Sequence, residues 1–306
     1  MRLDFKTFLK GMAMGAADVV PGVSGGTIAF ITGIYDLLLE SIRRINPRLI
    51  GMIRRDGFKA AWTHVNATFL VTLIAGIGLS IVSLAKVISY LLTDHPIAIW
   101  SFFFGLILVS ILHIGKQIGR WGPTQLISLA VGIGLAWFIS VASPLALDPT
   151  PLNILLGGMI AICAMILPGI SGSFILLLLG LYGPVLGAVN ERDLVIIAIF
   201  LSGTVLGILS FSHVLSFLLR RFHTQTLAFL TGLLIGTLGK IWPWKQTLTW
   251  RTNSKGDQVP LLQENLLPSQ FEQITGESNQ LMLALACAAV GFVLVLVLEK
   301  VGEHKG

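Results

Sequence analysis

An all-α polytopic membrane protein with inverted-topology repeats is the fold class that the sequence predicts, each repeat holding one re-entrant helical hairpin and three transmembrane helices. Three observations carry that prediction. The 306 residues are 54% hydrophobic and only 12% charged, about half the charged share of a soluble domain. Six apolar runs have the length and composition of bilayer crossings, which take about 18 residues or more. A Pro-Gly-x-Ser-Gly break also stands twice inside apolar sequence, in VVPGVSGGTIAFITGIY (19–35) and ILPGISGSFILLLLGLY (166–182).

The first hairpin occupies 3–41, its arms meeting at Pro21 and Gly22. Proline removes a backbone donor and clashes with the preceding turn, so the arms do not form one helix. Arg2, Lys6 and Lys10 precede the break, and Arg43, Arg44, Arg48, Arg54, Arg55 and Lys59 follow it. Basic flanks stay in the cytoplasm, so this segment enters and leaves on one face. MRLDFKTFLKG lacks the long apolar core of a removable signal peptide. A basic cytoplasmic loop at 43–65 leads into crossings at 66–92, 97–114 and 122–142, which close a first repeat over 1–142. The second hairpin, 152–189, has arms at 152–167 and 173–189 with Arg192 as its basic flank, and belongs on the outer face. Crossings at 194–219, 225–242 and 279–298 complete a second repeat over 143–306, which leaves Lys116, Arg120, Arg220 and Arg221 inside. Both termini then face the cytoplasm. The polar stretch 243–278 falls outside and reads as a flexible loop. Trp62, Trp100, Trp121, Trp242, Trp244 and Trp250 sit near crossing ends, as belt anchors do, with His64 and His113 beside them.

The repeat extends past the motif. At an offset of 147, Pro21, Gly22, Ser24, Gly25, Gly33 and Tyr35 fall on Pro168, Gly169, Ser171, Gly172, Gly180 and Tyr182. Beyond the basic loop the offset becomes 127, and Gly76, Ser83, Lys86 and Gly105 fall on Gly203, Ser210, His213 and Gly232. A hairpin plus three crossings is an odd number of passes, so the second copy is inverted, as in many transporters.

Each break presents backbone N–H groups at the start of the next helix, with Gly26 and Thr27 in one copy and Ser173 in the other. Hydrocarbon does not satisfy them. Glycine-rich turns of this kind form anion nests, and the helix dipole adds about half a positive charge. The sequence therefore suggests two facing anion cradles, with hydroxyls from Ser24, Thr27, Ser171 and Ser173. The plainer alternative is a tight packing turn in which serine caps its own helix. Lys86 and His213, at matching positions in crossings, are further candidates for the anion, because ionisable groups within a crossing usually face a cavity; the alternatives are a snorkelling lysine and a hydrogen-bonded core imidazole. Asp18 is read either as a proton or cation site or as a partner for the broken backbone. Glu40, Arg43 and Arg44 close the first hairpin at the headgroup level. Cys163 and Cys287 lack metal-ligand spacing and read as core residues. No cofactor or metal is expected. The net charge of +6 lies in loops, where it sets topology, so the bilayer and not nucleic acid is the expected partner.

The stretches MGAADVVPGVSGGTIAFITGIYDLLLESI and LPGISGSFILLLLGLYGPV resemble the bacterial and archaeal polyprenyl-phosphate transporter family over nearly the whole chain. The resemblance implies that an anionic isoprenoid lipid, undecaprenyl phosphate, moves from the outer to the inner leaflet of the bacterial inner membrane, recycling the carrier of cell-wall assembly. It also implies a headgroup region at Pro21, Gly22, Ser24, Gly25, Gly26 and Thr27 with Pro168, Gly169, Ser171, Gly172 and Ser173. Two rivals remain at this stage. Undecaprenyl-diphosphate phosphatases carry a Pro-Gly-x-Ser-Arg-Ser signature, but Gly25 and Gly26 replace the Arg-Ser here, and the crossings hold no paired glutamates. A small-anion transporter or channel also uses Ser-Gly-rich broken helices.

Overall fold

The computed structural model describes residues 4–303 apart from 21–22, 143–144, 146 and 253–257. The first hairpin is α1 (Phe5–Val19), α2 (Gly25–Ile31) and α3 (Tyr35–Arg43). The amphipathic α4 (Arg48–His64) follows, then α5 (Ala67–Asp94), α6 (Pro96–Gln117) and α7 (Pro123–Val141). The second hairpin is α8 (Pro151–Ile166), α9 (Gly172–Leu178) and α10 (Tyr182–Glu191). After it come α11 (Leu194–Arg221), α12 (His223–Thr237), a short 3₁₀ turn (Leu238–Ile241), β1 (Lys245–Thr252), β2 (Gln258–Asn265), α13 (Pro268–Thr275) and α14 (Leu281–Glu303). α5, α6, α7 and α11 are long and apolar enough to cross a membrane, while α8 and α14 are shorter apolar helices. The chain is a helical polytopic membrane protein.

Three departures from expectation have local causes. The return arm of each hairpin is two helices, bent by 114° between α2 and α3 and by 110° between α9 and α10. Gly33 (φ +69°) and Gly180 (φ +76°) supply the left-handed residue at each bend. The 43–65 segment is a helix, broken at Gly57 (φ +82°), with Ile50, Ile53 and Phe58 exposed among its arginines. That pattern is an interfacial helix. The described part of 243–278 is no loop: β1 and β2 pair antiparallel, and α13 packs on β1. There Trp244 and Phe271 are buried with Ile97 and Ala284, an apolar anchor that a polar-rich composition conceals.

Outward faces are strongly apolar: Val71, Ile74 and Val82 on α5, Ile127 and Val131 on α7, and Val290 and Val293 on α14 are all exposed. Such a belt is stable only against lipid. Inside, packing is tight because small residues line the contacts. The close pairs are α1 with α5, α8 with α11, α6 with α14, and α7 with α12. A Cβ on Gly76 would strike the Phe8 carbonyl, one on Gly203 the Leu155 carbonyl, and one on Gly232 the Leu129 carbonyl. The central helix is α12, whose Leu227, Ala228, Leu230, Leu233 and Leu234 are buried.

Candidate functional site

The two motifs meet. Ser24 caps α2 by accepting from the Gly26 N–H (3.1 Å), and its own hydroxyl donates to the Met165 carbonyl (2.7 Å) at the end of α8. The Gly169 N–H donates to Thr27 Oγ1 (2.9 Å), and the Tyr35 hydroxyl donates to the Ile166 carbonyl (3.1 Å). A helix end leaves carbonyls without intrahelical partners; here Ser24 and Tyr35 of the first hairpin supply the donors. Ser24, Thr27 and Tyr35 are buried. A Cβ on Gly26 would overlap the Ile166 carbonyl, so only glycine permits this approach. Asp18 accepts from the Gly25 N–H at 2.6 Å, which makes it a partner of the broken backbone. Pro21 and Gly22 lie outside the described residues.

The hairpins are chemically unequal, where the sequence suggested similar seats. On α2 the Gly25 and Gly26 amides are taken by Asp18 and Ser24. On α9 no side chain caps the first turn: Ser171 shares a hydrogen bond with Ser173 (2.9 Å), and Ser173 is exposed. Gly172 is buried against the Ala161 carbonyl, and Pro168 sits in the turn between α8 and α9. Gly169 (φ +85°) and Ser171 line a small hollow of ≈ 10 Å³, together with Phe174, Thr237 and Lys240. That is room for about one water. The Lys240 ammonium stands 4.2 Å from the centre of the Phe174 ring.

Lys240 was missed in the sequence, although it is the one charged residue in 225–242. Its neighbours in sequence carry no signal of the Phe174 ring that it meets, which comes from another element. Next to it, Lys245 donates to the Lys240 carbonyl and lies over the Trp100 ring (4.3 Å). Burial, and then the Lys240 charge, push the Lys245 ammonium down to about 7.

At the other end of α12 a larger cavity, ≈ 890 Å³, opens between α3, α4 and α11. Glu40, Arg43, Arg44, Arg48, His64 and His213 line it. Arg43 holds Glu40 through two bonds (3.0 and 2.6 Å), Arg44 adds a third (3.2 Å), and Arg220 approaches to 3.6 Å. Arg44 also donates to the His64 carbonyl (2.9 Å), which ties the end of α4 to α3. His213 thus reaches a cavity, bonded through Nδ1 to the Leu209 carbonyl (2.6 Å). Lys86, at the matching position on α5, is exposed and lines neither hollow. Among the described residues no cluster has metal-ligand geometry. Cys163 contacts the Gly207 carbonyl at 3.7 Å, a packing role.

Residues 14–259 match the family described as undecaprenyl phosphate translocase-like. A curated protein of Vibrio cholerae serotype O1, named polyprenyl-phosphate transporter, is 61% identical over 297 residues, 97% of this chain and 96% of that protein. A protein of the same name from Staphylococcus aureus is 33% identical over 253 residues, 77% of this chain and 85% of its own length. No solved structure matches.

Proposed function

Because the chain belongs to the undecaprenyl phosphate translocase-like family, we propose that it carries a polyprenyl phosphate across the bacterial inner membrane, from the outer to the inner leaflet. A phosphate charge stranded in hydrocarbon is prohibitively costly, whereas its isoprenoid tail is at home there. The protein then needs only to shelter the headgroup, and no bond is broken; we read it as a carrier and not an enzyme.

The observation that carries the reading is the asymmetry of the two breaks. The uncapped start of α9, whose Ser171 and Phe174 line one hollow with Lys240, offers backbone amides, a hydroxyl and a cation to one anion, and Gly172 and Ser173 continue the same turn. On this reading it is the outer seat. The first motif, with Pro21, Gly22, Ser24, Gly25, Gly26 and Thr27, and the Pro168–Gly169 turn form the joint that positions it. On the same reading Lys86 and His213 would meet the headgroup on its way, His213 from the larger cavity that it lines, and Asp18 is the candidate for coupling to a proton. The ≈ 10 Å³ hollow admits no phosphate as it stands, so on this reading the structure is the outward-closed state.

The test is reconstitution in vesicles with a fluorescent short-chain polyprenyl phosphate, followed by quenching from one side. Wild-type protein should move the probe between leaflets, and Lys240→Gln should slow it about tenfold, the worth of one charge-assisted contact. No movement by the wild type would sink the proposal, as would release of inorganic phosphate from a polyprenyl diphosphate by the purified protein.

A further inference from the structure

We infer that the ≈ 890 Å³ cavity between α3, α4 and α11 is a second anion seat, binding the phosphomonoester of an isoprenoid lipid at the end of the molecule opposite Lys240. The inference rests on the carrier reading for its lipid and on the cavity's own chemistry for its anion.

Charge comes first. Arg43, Arg44 and Arg48 line the cavity against the single carboxylate of Glu40, and Arg220 stands next to them. One negative charge therefore meets four guanidinium groups. Glu40 does not use all of their donors. Arg43 spends Nε and Nη2 on Glu40, and Arg44 spends Nε on Glu40 and Nη1 on the His64 carbonyl. A guanidinium carries five N–H donors in a fixed fork, so each has donors left for a ligand. Glu40 instead holds the two forks in place, lowering the entropy lost on binding. Arginine suits a phosphate's paired oxygens better than lysine does.

Size and setting come next. The volume falls within the about 300–1,000 Å³ of ligand clefts, far more than a closing salt bridge needs. Pro47, Leu49 and Met52 give one wall apolar surface. They belong to the segment whose exposed Ile50, Ile53 and Phe58 place α4 at the bilayer interface. A ligand entering along this wall keeps its first isoprene units in contact with apolar side chains while the phosphate meets the arginines. His213, from α11, also lines it. The cavity therefore spans the seam between α3 and α11, as a seat that takes the headgroup from the other half does.

The experiment uses the full-length protein in zwitterionic nanodiscs, with farnesyl phosphate and inorganic phosphate as probes. Hydrogen–deuterium exchange should show farnesyl phosphate protecting 40–52 in the wild type. Arg43→Gln with Arg48→Gln should weaken its affinity about tenfold or more, the loss expected for charged hydrogen bonds. Arg54→Gln with Arg55→Gln removes equal charge from α4 outside the cavity lining and should leave affinity unchanged. Arg48→Gln alone, at an exposed position, serves if the double variant unfolds. Equal weakening by both pairs would reduce the effect to general surface charge and overturn the seat, as would unaltered binding by Arg43→Gln/Arg48→Gln or no protection of 40–52. Protection by inorganic phosphate at equally low concentration would overturn the lipid part and leave a site for free phosphate. If the cavity binds the probe and reconstituted protein moves none, the carrier reading fails and the seat stands. If the protein transports and the arginine variants bind normally, the seat fails alone.

Discussion

At the residue scale the tip of the first hairpin turns on two side chains whose roles substitutions can separate. Thr27 Oγ1 is the acceptor for the buried Gly169 N–H. Thr27→Val keeps the shape and orphans that amide, so it should lower stability by about 1–3 kcal/mol, whereas Thr27→Ser should be close to neutral; thermal unfolding of the purified protein reads both. Asp18 accepts from Gly25 with an oxygen that asparagine also has. Asp18→Asn should therefore stay folded, and loss of transport in it, with the protein intact, would assign the carboxyl a proton; unimpaired transport would leave it a cap. Substituting Gly25 is a poorer probe, because a Cβ there lands on the Asp18 carboxylate. Lys245 gives a pH signature. Its folded-state value is about 7 against an ordinary 10.5, so between these the unfolded chain binds more protons and stability falls as pH drops. Lys245→Met should flatten that part of the stability–pH curve, and an unchanged curve would show that the Lys245 ammonium is not buried in this way.

The elements show what the sequence made legible and what it hid. Apolar helices and breaks were readable because apolar length and Pro-Gly are local signals: the 66–92 run became Ala67–Asp94 and the 194–219 run Leu194–Arg221, whereas the 225–242 run became only the 15-residue α12 and a 3₁₀ turn. The β-hairpin was hidden, since its stability comes from Trp244 and Phe271 reaching Ile97 and Ala284, partners distant in sequence. The joint was half visible. Glycine at the break implied close approach, but which backbone would approach, the end of α8, is a tertiary fact. Lys240 and the arginine cavity were obscured in the same way, being made significant only by neighbours from other elements. α12 illustrates the packing rule that holds these helices: a Cβ on Gly232 meets the Leu129 carbonyl and the Ile133 nitrogen, while nothing lies within 4 Å of one on Gly134. Gly232→Val should cost about 1–3 kcal/mol or more through overpacking. Gly134→Ala, on the neighbouring α7, should be neutral or slightly stabilising, and denaturation midpoints compare the two.

For the whole molecule, the packing pairs follow a rule of exchange. α1 lies on α5 as α8 lies on α11, and α6 takes α14 as α12 takes α7. In the last two pairs, α6 with α14 and α12 with α7, one helix comes from 1–142 and the other from 143–306. This interlocking supports the reading of two inverted repeats, and it bears on how the halves move. Among the described residues three hydrogen bonds cross between the motifs, from Ser24 to Met165, Gly169 to Thr27, and Tyr35 to Ile166. Pulling the motifs apart would strand buried groups at about 1–3 kcal/mol each, or about 3–9 kcal/mol in all. A carrier's two states differ by only a few kcal/mol. The motif joint should therefore stay closed through the cycle, with motion confined to surfaces less well satisfied, chiefly the polar seam where Arg220 of α11 meets Glu40 of α3. Cysteines at Ser24 and Met165, in a background lacking Cys163 and Cys287, test this directly. Oxidative cross-linking should leave transport intact, whereas a short bifunctional cross-linker between cysteines at Glu40 and Arg220 should arrest it relative to the same variant before cross-linking. Arrest at the motif joint would mean that the joint opens, and the pivot would then have to lie elsewhere.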